Sequence, residues 1–368
     1  MLLVCISLLG GLYAASRSPA FVEEIHARRV APAVAVAVGR LSALLPFSLA
    51  EALIAGLVLL LVFRFLRGGF LVVRRRERLL ALLVSGWWRL LTGVLVVATL
   101  FYLFWGVLYA RAPLPRRAGW ERLERMRPAA GDLEELEGLA RDLVQRCNAL
   151  RRRLAARGAG GDLETLVPDD LDRLLDRAAS RVAREVGEGD GFSGWRAPAK
   201  LLTASSLAAA LGLSGFYSPW TGEANYNRLV PAWQRLHAIA HEKAHQRGVT
   251  SEDEAGFVGF LLCVRAGDDL LAYAGWLFAQ RQLLRQVARL DPEGARDLIA
   301  ARDPLVQADV DRARAFWSSH RGWAMRAGTT VNDRFLRLNR VSGGIRSYGM
   351  AARLLLLYAR AKGGAFPR

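Results

Sequence analysis

Apolar positions are massed in the first third of the chain. Met1 to Ala15 (MLLVCISLLGGLYAA), Phe47 to Phe65 (FSLAEALIAGLVLLLVFRF) and Leu90 to Ala110 (LLTGVLVVATLFYLFWGVLYA) are runs in which polar residues hardly appear. A helix of about twenty apolar residues crosses a bilayer. The pattern therefore predicts three transmembrane helices, about 1–15, 47–65 and 90–110, in a membrane region over 1–112. The first run is short and lacks a basic leader, so it reads as a span or a signal sequence. Trp87, Trp88, Trp105 and Tyr109 flank or end the third run, where interfacial aromatics belong.

From about Pro113 the pattern changes to apolar residues three and four apart, the mark of amphipathic helices. Helices are predicted from Asp132 to Gly158, in DDLDRLLDRAASRVAREV after Pro168, and over Ala199–Leu211, Pro231–Arg247, Glu252–Ala266, Asp268–Arg289, Asp309–Met325 and Ile345–Ala361. One segment, Gly215 to Asn227 (GFYSPWTGEANYN), breaks the pattern. Its Pro219 and Thr221-Gly222 oppose a helix, and Phe216, Tyr217 and Trp220 make it a candidate substrate-binding edge or a loop packed on its own aromatics. The fold class expected is mainly α, with a water-soluble domain over 113–368.

Composition adds little to this. The chain has 368 residues, 23% of them charged, and a formal net charge of +17. The excess is arginine spread over every segment, since the only lysines are Lys200, Lys243 and Lys362. A nucleic-acid surface would gather that charge on one face among aromatics, so no nucleic-acid partner is expected. Cys5, Cys147 and Cys263 are too few and too scattered for a disulfide framework or a paired-cysteine metal site. Arg64 at the end of the second run and Arg67, Arg74, Arg75, Arg76 and Arg78 between it and the third assign that link to the cytoplasm and the domain after the third run to the outside.

Candidate chemistry is concentrated in HAIAHEKAHQRGVTSEDEAGF, residues 237–257, which hold three of the five histidines. His241, Glu242 and His245 form H-E-x-x-H. On a helix, positions four apart share a face, so both imidazoles can converge on one Zn2+ ion, and Glu242 stands next to it as general base. His237 lies eight residues before His245, about 12 Å along a helix, too far to share the ion. It is a residue of the reaction face or an ordinary helix-face histidine. Gly248 is placed to end the helix and Ser251 to begin the next, which turns an acid back toward the imidazoles. A capping box would tie Glu254 to Ser251 and leave Glu252 as third ligand, with Glu254 as the alternative.

The stretch Glu252-Asp253-Glu254-Ala255-Gly256 resembles the E-x-x-A-[DN] third-ligand element of gluzincin metallopeptidases, departing from it at Gly256. More widely, Thr221–Asn225, His241–Gly248, Glu252–Phe257 and Ser347–Gly349 are similar to the TGEAN-like, HExAHQRG-like, EDEANF-like and SYG-like stretches of a bacterial integral-membrane family of unknown function. The resemblance implies an α-helical, gluzincin-like zinc hydrolase domain, anchored as a multi-pass protein in the bacterial inner membrane. The expected activity is hydrolysis of a peptide or envelope-protein substrate at the bilayer. Tyr348 is the expected oxyanion donor, with His237 second. The alternative is a non-catalytic envelope scaffold whose zinc pins a helix hairpin. Cys263, about three turns beyond Glu252, is too far to close such a site. A transporter is disfavoured, because three spans with so few polar positions offer little path for a substrate. Oligomeric state is not readable.

Overall fold

The computed structural model describes residues 2–74, 79–125, 132–157, 163–165, 170–338 and 351–367. Four long N-terminal helices come first: α1 (Leu2–Ala15), α2 (Ala31–Ala43, entered through a π-helical stretch Phe21–Val30), α3 (Leu49–Arg74) and α4 (Leu79–Phe104). Two segments within them, Leu49–Phe70 of α3 and Gly86–Phe104 of α4, are long and apolar enough to cross a membrane. Their apolar side chains are turned outward, Leu59 and Phe65 among the most exposed. Such a surface is stable only against lipid or another apolar partner.

The N-terminal region differs from a set of three spans in three ways. Helix α1 has only 14 residues and is shorter than a span. It packs along α4, where the Thr99 hydroxyl donates to the Cys5 carbonyl at 3.4 Å. The third apolar run does not stay helical to Ala110. It ends at Phe104 and continues as a 3-10 turn, Gly106–Ala110, with Trp105, Val107 and Leu108 buried against the rest of the protein. Hydropathy cannot separate a lipid-facing residue from a core residue, so the apolar run overshoots the span. The π-helical stretch and α2 had no expectation at all, since their alanines and valines carry no marked periodicity.

The remaining described residues are mostly helical: α5 (Asp132–Ala156), α6 (Leu171–Val186), α7 (Ser205–Ala210), α8 (Ala232–His245), α9 (Glu252–Arg265), α10 (Asp269–Leu290), α11 (Pro292–Ala300), α12 (Pro304–Ser319), α13 (Trp323–Leu338) and α14 (Ala351–Ala361). Helix α9 is apolar on every side from Ala255 to Cys263 and is buried throughout that length, as such a helix must be. It is surrounded by α8, α10, α6 and α14. Helix α6 is the opposite case: Leu175, Ala178, Ala179, Val182 and Val186 form one buried stripe beneath an exposed polar face.

The extended segment is a β-hairpin in a small sheet, β1 (Lys200–Leu201), β2 (Gly215–Ser218) and β3 (Glu223–Tyr226), in the order β1-β3-β2. Strand β2 is antiparallel to β3, with Phe216 opposite Asn225, and β1 is parallel to β3. The helix expected over Ala199–Leu211 is thus reduced to α7, because Lys200 and Leu201 are drawn into the sheet. The helix expected over Asp309–Met325 is really the end of α12 and the start of α13.

The sheet is latched to the membrane-length helices by reciprocal capping. Glu223, fully buried, accepts from the Leu49 and Ala50 amides at the start of α3, at 3.0 and 2.8 Å. Glu51 of α3 accepts in return from the Thr203 and Ala204 amides, at 2.7 and 2.9 Å. The Lys200 ammonium donates to Glu223 at 2.7 Å and to the Ser42 and Phe47 carbonyls at 2.6 and 2.9 Å. An anion at a helix start and a cation at the end of α2 both match the helix dipoles.

Candidate functional site

Helix α8 ends where its sequence says it should: Gly248 takes φ +89°, open to glycine at little cost, and its amide bonds back to His245. Four residues later α9 begins, so Glu252 comes back over the last turn of α8. The result is a tight cluster. His241 Nε2 lies 3.1 Å from His245 Nε2 and 3.1 Å from Glu252 Oε2, and His245 Nε2 lies 3.7 Å from the same oxygen. Ligands 2.0–2.1 Å from a tetrahedral zinc stand about 3.3 Å apart, so the three edges fit one ion. His245 donates from Nδ1 to the Val249 carbonyl at 2.6 Å, which turns its Nε2 toward the cluster. Burial alone would lower the pKa of His245, but the adjoining Glu252 carboxylate raises it to about 9. Burial likewise opposes ionisation of Glu252, yet the two imidazoles hold it well below the usual carboxylate range.

Glu254, the alternative ligand, faces away from the imidazoles. It accepts from the Leu114 amide at 2.6 Å and pairs with Arg117, which also pairs with Glu188. The expected capping box is not made: Ser251 bonds Asp253 instead of exchanging bonds with Glu254. Glu254 is drawn off by an arginine 137 positions away.

Glu242 is buried beside the cluster, and burial pushes its pKa up against the pull of both imidazoles. The Tyr217 amide donates to it. Strand β2 passes so close that a Cβ on Gly215 would stand 3.0 Å from Glu242 Cγ and 2.6 Å from the Asn225 carbonyl oxygen. The other motif residues of this helix are structural: Lys243 donates to Asp172 at 2.7 Å and Gln246 to the Gly222 carbonyl at 2.7 Å.

His237 donates to the Gly256 carbonyl at 3.1 Å and stacks on Phe278 with ring centroids 3.8 Å apart. Burial, helped by His241, lowers its pKa to about 3 and keeps it neutral. The departure at Gly256 has a spatial reason. A Cβ there would stand 3.9 Å from His241 Nδ1 but 3.2 Å from Phe278, so the space that an Asp or Asn would use beside His241 is given to the stacked ring.

A cavity of about 440 Å³ opens on the cluster, lined among others by His241, Glu242, His245, Glu252, Phe216 and Tyr217. Trp220 is not on its wall; it turns outward against Phe101 and Phe104, at 6.4 and 6.2 Å between ring centroids. This corrects its assignment to the substrate side: the bend after Ser218 carries it toward α4. Tyr348 lies outside the described residues. Trp105 and Tyr109, read from the sequence as interfacial anchors, are cavity-wall residues, with Trp105 edge-on to His245 at 6.2 Å. Burial raises the Tyr109 pKa to about 12, so its phenol keeps its proton. Nothing in their spacing distinguishes an anchor from a wall.

These features define a mainly helical protein with two membrane-length helices and a three-residue cluster suited to a metal ion. The chain belongs to the family described as protein of unknown function (DUF3810), whose profile matches residues 26–356. No curated protein matches it, and no solved structure does.

Proposed function

We propose that this protein is a membrane-anchored, zinc-dependent peptidase of gluzincin-like character, held in the bacterial inner membrane with its helical domain on the extracytoplasmic side. The observation that carries the reading is the triangle formed by His241 Nε2, His245 Nε2 and Glu252 Oε2, with edges of 3.1, 3.1 and 3.7 Å, facing a cavity that also contains Glu242. Three protein ligands with a side open to a cavity suit a catalytic zinc rather than a closed structural one. Zinc in such a site supplies Lewis acidity, lowering the pKa of water toward about 7 and polarising a carbonyl.

The chain's own groups do the rest. Glu242, its affinity for protons raised by burial, takes a proton from the attacking water and returns it to the leaving amine. Tyr109, protonated and on the cavity wall, is a donor for the developing oxyanion, a role for which Tyr348 also remains a candidate. Strand β2, an outer strand, lies along the cavity and suits an extended peptide laid beside Gly215 and Tyr217. What supports the orientation is the arginine-rich sequence between α3 and α4, together with the start of α3 and the end of α4, which touch the domain.

Metal analysis and turnover test the reading together. Purified wild type should hold one zinc per chain, His245→Ala and Glu252→Ala should lose it, and Glu254→Gln should keep it. Glu242→Gln should keep zinc and lose peptide hydrolysis. Equal metal in wild type and His245→Ala would remove the proposal, and zinc without hydrolysis of any peptide library would favour the scaffold reading.

A further inference from the structure

Away from the metal cluster, the same cavity has a cationic wall. Helix α10 lines it with Phe278, Arg281, Gln282 and Arg285, which lie on one face at spacings of three and four. Arg281 is half-buried with its guanidinium 5.1 Å from the centre of the Trp233 ring. It makes no hydrogen bond or ion pair among the described residues, and the charged groups that act on it are Arg285, Arg302 and Arg314, all of its own sign. Arg285, at the exposed end, donates among the described residues to the neutral Gln282 alone, at 3.1 Å. Burial and like charge both oppose placing cations here, and stacking on Trp233 occupies one guanidinium face while leaving its N–H donors unused. Elsewhere in the same domain buried arginines are partnered: Arg117 has Glu254, Arg151 has Asp309 and Arg247 has Asp176, while Arg196 donates to the carbonyls of Gly191, Ser193, Trp195 and Gln246. Among the described residues Arg281 differs from these four in having neither an acid nor a carbonyl to accept from it.

The position relative to the cluster sets a length. Trp233 precedes His241 by eight residues on α8, about 12 Å along the helix, and an extended peptide advances about 3.3 Å per residue. We infer that Arg281 and Arg285 form an anion subsite that holds a carboxylate of an extended peptide three to four residues from the bond positioned at the His241–His245–Glu252 cluster. This rests on the peptidase reading and narrows it to acidic peptides. The carboxylate is an acidic side chain or a free C-terminus, and both have the chemistry a guanidinium fork recognises.

The test uses full-length, zinc-loaded Glu242→Gln protein in detergent, so that binding is read without turnover. The probes are fluorescein-labelled alanine-rich octapeptides carrying Glu or Gln at one position in turn, each with a free or amidated C-terminus. Anisotropy should show a Glu peptide, or the free-acid form, binding roughly tenfold more tightly than its neutral twin, the weight of one charge-assisted hydrogen bond. Which pair shows the preference tells side chain from terminus. Arg281→Gln should abolish the preference and Arg285→Gln, near the mouth, should weaken it, both with zinc content unchanged as the sign of an intact site. A zinc-loaded protein that binds acidic and neutral peptides alike, or neither, overturns the subsite. So does a preference that survives both substitutions. A wild type without zinc would instead sink the peptidase reading.

Discussion

Replacing Glu223 by glutamine should destabilise the protein more than any surface change, because it breaks the joint between sheet and membrane-length helices from within. The side chain is fully buried and serves the Lys200 ammonium, two amides at the start of α3 and the Thr221 hydroxyl. Glutamine keeps the volume and one acceptor, but Lys200, itself buried, loses its counter-charge. Removing one member of a buried pair costs about 3–5 kcal/mol, chiefly for the stranded charge. Against a total stability of about 5–15 kcal/mol that is a large fraction. Denaturant unfolding of the full chain in detergent, followed by tryptophan fluorescence, should show the loss. Adding Lys200→Met to Glu223→Gln should restore at least about 1 kcal/mol by removing the unpaired cation. Zinc content should survive both changes, since neither residue belongs to the cluster. A Glu223→Gln protein within about 1 kcal/mol of wild type, or a double variant less stable than the single one, would refute the reasoning.

Two further outcomes follow from close packing and from burial. At Gly259 a Cβ would stand 2.9 Å from the His241 amide nitrogen and 3.1 Å from its Cα, so Gly259→Ala should push α9 off α8. The expected cost is about 1–3 kcal/mol, with weaker zinc retention in a chelator competition, and unchanged affinity would count against the helix contact as the determinant of the site. His237, its pKa lowered from 6.5 to about 3, contributes stability that is present above the unfolded value and lost as pH falls from 6.5 toward 3. Between pH 7 and 4.5 the metal-free wild type should lose about 2–3 kcal/mol more than His237→Gln, and parallel pH profiles would show that His237 is not held neutral.

What the order of residues determined by itself is what short-range geometry controls. The i, i+4 spacing of His241 and His245, the glycine that stops α8 and the acid that opens α9 all act within about a dozen positions, so the convergence of His241, His245 and Glu252 was legible along with most of the long helices. That Glu252 rather than Glu254 faces the imidazoles was legible too, but for the wrong reason: the expected bond to Ser251 is absent and Arg117 claims Glu254. Tertiary structure decided everything that joins distant segments. It brought Trp105 and Tyr109 to the cavity wall, turned Trp220 away, set Arg281 over Trp233 and closed Glu223 on Lys200 and α3. Those partners are separated by tens to hundreds of residues, and an apolar or charged side chain carries no local mark of which surface it will meet. Periodicity reports a residue's face; only the packed chain reports what that face touches.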